Sequence, residues 1–202
     1  LWEEYCERNP GGFYSYNHYC RMYREWLKTT SPSMRQVHKA GEKLFVDYCG
    51  PTVGVTDPET GEIRTAQVIV AVLGASSYTW AEATWSQQLE DWVMSHVRCF
   101  QWLGGVPELV VPDNLKSATS RACKYDPDVN PTYQQMLEHY NVAVLPARPR
   151  KPKDKAKAEV GVQVVERWIM ARIRHEIFYS LASLNQRIRE LLERLNNKIM
   201  QK

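Results

Sequence analysis

Three acidic residues of this sequence have the types and positions to do chemistry: Asp47, Asp113 and Glu159. Asp47 lies within one β-prone run, Asp113 directly follows another, and Glu159 opens a predicted helix. If the two runs are neighbouring strands, the three carboxylates converge, and they would repel one another strongly without a cation. Mg²⁺ prefers carboxylate and phosphate oxygens, and two ions about 3.5–4 Å apart stabilise both the attacking and the leaving oxygen of a phosphoryl displacement. The three acids therefore predict phosphodiester chemistry at a site with two Mg²⁺ ions, for which Mn²⁺ would substitute.

A basic segment directly precedes Glu159. The residues from Arg148 to Lys157 carry six cations and one anion, although the whole chain has a net charge of only +3. Cations here would offset the repulsion between DNA phosphates and the carboxylates. A solvated basic loop is the alternative interpretation. The predicted DNA-contacting residues are Arg148, Arg150, Lys151, Lys153, Lys155, Lys157, Asn114 and Lys116. For Asn114, stabilisation of a turn is an equally good alternative.

Five strands are predicted to position these acids. The clearest is the continuous apolar run that ends at Leu73, which is typical of a strand buried on both faces of a sheet. Turn-forming residues at 57–62 predict a hairpin between the first two strands. The predicted strands cover residues 43–50, 64–73, 78–85, 108–111 and 142–145.

Segments whose apolar residues have helical spacing lie between these strands and after the last of them. Residues 15–30 predict an aromatic helix, and a long amphipathic helix that begins at Leu89 ends at Gly104-Gly105. His96 lies on the apolar stripe of that helix and is interpreted as a core residue. Further helices are predicted over 131–140, from about Lys155 onward, and over the leucine-rich C-terminal residues. This order of elements predicts an α/β protein with a mixed sheet covered by helices.

Composition limits the class of protein. The chain has 202 residues, of which 44% are hydrophobic and 24% charged, so it can bury a core and is expected to fold throughout. No apolar stretch approaches the roughly 18 residues needed to cross a bilayer, and no signal peptide is recognisable, so we predict a cytoplasmic protein. Five scattered cysteines without a Cys-x-x-Cys pair predict reduced thiols. A chain that starts at Leu1 is expected to be a fragment.

Three sequence blocks carry a family resemblance. They are Phe45-Val46-Asp47-Tyr48, Val111-Pro112-Asp113-Asn114-Leu115-Lys116 and Lys155-Ala156-Lys157-Ala158-Glu159. Together they resemble the catalytic core of IstA-type bacterial insertion-sequence transposases, which are relatives of retroviral integrases. The resemblance covers about residues 35 to 180, and its second and third blocks are the most specific.

The resemblance implies a ribonuclease-H-like fold in which Asp47, Asp113 and Glu159 hold two magnesium ions. It implies that water is activated to cut DNA at the end of the element, and that the freed 3′-hydroxyl then attacks target DNA. It also implies homo-oligomers that bring two DNA ends together and an ATPase helper protein. We accordingly expect a five-stranded mixed sheet flanked by helices, with a helical extension and basic connector over residues 1–40, the catalytic core over 41–178 and a C-terminal helix over 179–202.

Two questions stay open at this level. Glu166 follows Glu159 by seven residues on the same helical side, and it would be the alternative ligand if the helix started later than predicted. The function could also be that of a ribonuclease-H-like nuclease that only hydrolyses, or of an inactive DNA-binding or assembly domain that keeps only the fold. The nuclease usually has a fourth acidic ligand, and the sequence offers no convincing one.

Overall fold

The computed structural model describes residues 1–30, 37–112, 119–121, 128–145 and 156–197. The chain forms two compact units, Leu1–Val37 and His38–Lys202. None of the helices in the described residues is long and apolar enough to cross a membrane.

The first unit is a small aromatic assembly. It contains α1 (Trp2–Arg8) and α2 (Tyr16–Thr30), the second of which is the aromatic helix expected from the spacing of its rings. The Trp2 ring is the centre, because it makes edge or tilted contacts with four other rings. These rings belong to Tyr5, Phe13, Tyr16 and Tyr19.

The second unit is built on a mixed sheet. Its strands are β1 (Lys43–Tyr48), β2 (Val53–Thr56), β3 (Ile63–Leu73), β4 (Thr79–Thr84), β5 (Leu109–Pro112) and β8 (Ala143–Val144). The long β3 pairs antiparallel with β1, β2 and β4, whereas β1 pairs parallel with β5 and β5 pairs parallel with β8. A separate two-stranded ribbon joins β6 (Thr119–Arg121) to β7 (Asp128–Val129). The mixed sheet is as predicted, but it has six strands in the described residues instead of five. The additional strand is β2, which follows β1 in the chain and pairs with β3 across the predicted turn.

Helices cover both faces of this sheet. They are α3 (Leu89–Leu103), α4 (Pro131–His139), α5 (Ala156–Val165), a π-helical segment (Glu166–Met170), α6 (Ala171–Ile173) and α7 (Leu181–Asn196). Because successive strand residues point to opposite faces, β3 supplies two cores. Val70 packs with residues of α5 and α7, and Ile69 packs with residues of α3 and α4. The acids predicted on β1 and α5 therefore belong to elements that meet through one of the two cores.

His96 is a core residue, as its place on the apolar stripe indicated. It is 2% exposed, and its Nδ1 donates to the carbonyl oxygen of Trp92 at 2.8 Å. Its Nε2 accepts from the hydroxyl of Tyr133 at 3.0 Å. Burial lowers the pKa of His96 to about 4, so the ring is neutral near pH 7 and ties α3 to α4.

Two asparagines of α7 cover the open edge of β4. Asn185 accepts from the backbone nitrogen of Ala83 at 2.6 Å and donates to its carbonyl oxygen at 2.9 Å. Asn196 forms the same pair of bonds with Thr79, at 3.0 and 2.7 Å. Each side-chain amide thus takes the place of a neighbouring strand on the edge, which protects it from pairing with another chain.

Replacing Asn185 with Ala is expected to lower the free energy of unfolding by about 2 kcal/mol. Ala83 is 1% exposed, so its N–H and C=O would lose their partners away from water, at a cost of roughly 1–3 kcal/mol for each unsatisfied group before relaxation. Urea unfolding monitored by circular dichroism measures the change. The matched control is Asn197→Ala at the exposed end of the same helix, and equal stability of the two variants would contradict the prediction.

Candidate active site

Asp47 lies on β1 and faces the side of the sheet that α5 covers. In the antiparallel ladder Asp47 pairs with Val70, and Phe45 pairs with Val72. Directly opposed residues share a face, so these four side chains lie on one side of the sheet. Asp47 is half-buried, and its Oδ1 accepts a hydrogen bond from the backbone nitrogen of Tyr48 at 2.8 Å.

The helix α5 packs closely on this face of the sheet. A Cβ built on Gly161 would overlap the Cγ2 of Val72, so only glycine allows the helix backbone to come this near to β3. Val165, one turn later, is fully buried in the same cluster as Val70 and Val72. The helix contacts β1 as well as β3, so its position relative to Asp47 is set by direct packing.

Glu159 lies in the first turn of α5, where the sequence predicted a helix entry. The described part of the helix begins at Ala156, and Glu159 is half-buried. Seven residues correspond to about two turns of helix, so Glu159 and Glu166 lie on the same side of it. Oε1 of Glu166 accepts a hydrogen bond from the backbone nitrogen of Gly50 at 3.2 Å, just beyond the end of β1. The side of α5 that carries Glu159 is therefore turned toward the end of the strand that carries Asp47.

Cys49 lies between the strand and the helix. It is 3% exposed, and burial raises the pKa of its thiol to about 12, with further contributions from the charges of Glu166 and Asp47. Cys49 also belongs to the same core cluster as Val165, the residue that precedes Glu166, so the end of β1 and the end of α5 pack together here. The thiol is uncharged at neutral pH and adds no negative charge to the two acids.

The parallel pairing of β1 and β5 relates Asp47 to the second predicted acid. Val46 of β1 pairs with Pro112 of β5, the last residue of that strand. Asp47 follows Val46 in the chain, and Asp113 follows Pro112. Asp113 itself lies outside the described residues, as do Asn114 and Lys116.

The predicted DNA-contacting cations fall mostly in another such stretch. Five of them lie outside the described residues: Arg148, Arg150, Lys151, Lys153 and Lys155. Lys157, the sixth cation of the basic segment, lies in the first turn of α5, two residues before Glu159. Within the part of the chain that the structure describes, no group of three or more His, Cys, Asp or Glu residues forms a metal site.

Two features of the site were not recognised from the sequence. The close approach at Gly161 had a possible signal, because a glycine inside an apolar helix often marks a backbone that packs against another element. The bond between Glu166 and Gly50 had none, since it joins residues 116 positions apart.

Solved structures share this fold, and two of them illustrate the similarity. A chain in the cryo-EM structure of the simian T-cell lymphotropic virus intasome, in complex with the PP2A regulatory subunit B56 gamma, matches 83% of this chain over 52% of its own length, with a TM-score of 0.60 and 12% identity. The catalytic core domain of BIV integrase matches 80% of this chain over 88% of its own length, with a TM-score of 0.55 and 11% identity. The fold is thus the ribonuclease-H-like fold of retroviral integrase cores, and the predicted fold class is confirmed.

The family follows from the sequence itself. The model of the integrase core domain family matches residues 37–152, more than half of the chain, and the chain belongs to this family. It is 53% identical over 199 residues to a candidate transposase for insertion sequence IS408 of Burkholderia multivorans, and 51% identical over 203 residues to one for IS1162 of Pseudomonas fluorescens. It is also 28% identical over 129 residues to the transposase for insertion sequence element IS21 of Pseudomonas aeruginosa. The resemblance to insertion-sequence transposases is therefore confirmed.

These matches cover nearly all of this chain but only a minor part of each relative. The matches to the IS408 and IS1162 proteins cover 98% and 100% of this chain, but only 38% and 36% of the relatives. The chain thus spans less than two fifths of the length of these two curated relatives.

Proposed function

We propose that this chain is the catalytic core of a DNA transposase that cuts the ends of an insertion sequence and joins the freed 3′ ends to target DNA. Membership of the integrase core family supports the reaction class. The observation that carries the proposal is geometric. Asp47 faces α5, and the side of α5 that carries Glu159 turns toward the end of β1 through the bond between Glu166 and Gly50.

Asp47, Asp113 and Glu159 are the proposed catalytic carboxylates. Their donor atoms are hard oxygens, which fit Mg²⁺, and Asp47 and Glu159 are half-buried, so each keeps some access to solvent. When bound, two Mg²⁺ ions would supply Lewis-acid stabilisation of the phosphoryl displacement. The chain's own contribution is to hold the carboxylates on a packed sheet and helix, so that little reorganisation is needed when DNA arrives.

The basic segment is the proposed DNA contact. Lys157 precedes Glu159 by two residues, and the five further cations lie earlier in the same segment. Their charges would bring phosphates toward a site that the acids alone would repel. Asn114 and Lys116 follow Asp113 in the sequence and are assigned to the same contact.

The rest of the proposal follows from the sequence analysis and from the resemblance to insertion-sequence transposases. We assign residues 41–178 to the catalytic core, 1–40 to an extension with a basic connector and 179–202 to a C-terminal helix. The substrates are element-end DNA and target DNA in a bacterial cytoplasm. A homo-oligomer that holds two ends and an ATPase helper protein complete the assembly. These assignments concern the longer protein as much as this chain.

A branched DNA tests the proposed chemistry without knowledge of the element's end sequence. The substrate carries an element strand already joined to a target strand, next to the 3′-hydroxyl of the interrupted target strand, and the label is on the 5′ end of the strand that bears this hydroxyl. In the reverse of joining, that hydroxyl attacks the phosphodiester at the branch, the target strand is sealed and the element strand leaves with its own 3′-hydroxyl. We expect the chain with Mg²⁺ to yield a labelled strand longer than any labelled strand supplied, read on a denaturing gel.

Other products would contradict strand transfer. A nuclease that only hydrolyses would give labelled strands no longer than those supplied. A domain that only binds DNA would shift the substrate on a native gel and leave all strands at their original length. Either result, obtained with Mg²⁺ and again with Mn²⁺, would refute the proposed function.

A further inference from the structure

Glu166 is bonded to the chain segment that follows Asp47. Its Oε1 accepts a hydrogen bond from the backbone nitrogen of Gly50 at 3.2 Å, and Gly50 lies three residues after Asp47. The two residues are 116 positions apart in the sequence. The bond therefore joins the end of α5 to the end of β1, which are the two elements that carry Glu159 and Asp47.

Buried residues pack together next to both partners of this hydrogen bond. Cys49, the neighbour of Gly50, belongs to the same core cluster as Val165 and Ile169. Val165 precedes Glu166, Ile169 lies one turn beyond it, and both are fully buried. Because interiors are closely packed, these contacts limit how far the carboxylate can move from Gly50.

The helix changes its geometry at the same residue. The α-helical hydrogen bonding of α5 ends at Val165, and a π-helical segment runs from Glu166 to Met170. Single π-helical turns are rare and frequently occur at functional sites. The π-helical turn begins at Glu166, whose side chain bonds to Gly50 just after β1. The change in helix geometry and this hydrogen bond therefore occur at the same residue.

We propose that Glu166 is a positioning residue for the active site. This inference rests on the proposed function. The carboxylate holds the backbone after Asp47 against the side of α5 that carries Glu159, and so fixes the distance between those two acids. Its role is that of a hydrogen-bond acceptor for Gly50, and it does not touch DNA or the reacting atoms.

Two substitutions at position 166 separate this role from that of a ligand. Glu166→Gln keeps an oxygen that can accept from Gly50, whereas Glu166→Ala removes it. We expect kcat for resolution of the branched DNA to fall about three- to tenfold in the Ala variant, as for the loss of one hydrogen bond, with KM unchanged. The Gln variant should keep wild-type activity. Gly50→Ala is the matched control, because it keeps the N–H and its Cβ would lie 3.8 Å from Oε1 of Glu166.

Hydrogen exchange of the Gly50 amide tests the contact without DNA. By nuclear magnetic resonance, exchange should be several-fold faster in Glu166→Ala than in the wild type, and unchanged in Glu166→Gln. Equal exchange in all three proteins would overturn the inference. So would loss of activity in Glu166→Gln as large as that in a variant of Asp47, because the negative charge would then be required. A wild-type chain that resolves no branched DNA would refute the proposed function and the positioning role with it, while the exchange rates would still report the bond.

Discussion

Substitution of Asp47 by Asn is expected to reduce resolution of the branched DNA by roughly 10²–10³-fold, the size of effect seen when one group that stabilises transition-state charge is removed. The change removes one negative charge and keeps the shape of the side chain. Asn retains an Oδ1 that can accept from the backbone nitrogen of Tyr48, a bond of 2.8 Å in the wild type. The fold should therefore be preserved, and the loss should appear in kcat while DNA affinity changes little.

The control for this experiment is an acid of the hairpin turn. Glu59 is exposed in the turn between β2 and β3, so Glu59→Gln removes the same charge away from the proposed site. It should leave activity and the unfolding midpoint unchanged. Asp113→Asn and Glu159→Gln should resemble Asp47→Asn. Wild-type activity in Asp47→Asn, with a matching unfolding midpoint, would remove Asp47 from the proposed catalytic set.

The elements that carry these acids were accessible to sequence reasoning because their signals are local. The run from Val68 to Leu73 is apolar at every position, which is typical of a strand buried on both faces, and it forms the centre of the sheet. Successive side chains of β1 point to opposite faces of the sheet, so the pairing of β1 with β3 determines which face Asp47 occupies. The helix that contains Glu159 was also predictable, since alanines and lysines with helical preference follow the prolines of the basic segment.

The features that were not predicted are contacts between distant parts of the chain. Asn185 lies 102 residues from Ala83, and nothing in the sequence near either residue indicates the two hydrogen bonds that join them. The strand β2 is only four residues long and contains a glycine, so its preference for β structure is weak until β3 lies beside it. Convergence of Asp47 and Glu159 is predicted from the sequence, but the distance between them depends on how closely α5 can approach β3, which the sequence near either acid does not indicate.

The close approach of α5 to β3 depends on Gly161. We expect Gly161→Ala to lower both the stability of the fold and the activity. The new Cβ would overlap the Cγ2 of Val72, a β-branched side chain that is 2% exposed and has little freedom to turn aside. The helix must therefore move away from the sheet, at a cost of about 3 kcal/mol in unfolding free energy. Glu159, two residues earlier, would move with it, and a displacement of about 1 Å can reduce catalysis by roughly 10²-fold. Urea unfolding and resolution of the branched DNA measure the two effects.

A second substitution tests whether the overlap with Val72 is the cause. Val72→Ala removes both Cγ atoms, which leaves the Cβ of Val72 at 3.2 Å from the new Cβ, a contact that a small shift relieves. Alone, Val72→Ala should destabilise the fold by creating a cavity. Combined with Gly161→Ala it should restore part of the lost stability and activity, so the two changes should show a favourable coupling energy in a double-mutant cycle. Gly105→Ala, where an added Cβ meets nothing within 4 Å, is the control for a glycine-to-alanine change. If Gly161→Ala behaved like this control, or if Val72→Ala only added to its cost, close packing of α5 on β3 would not be what positions Glu159.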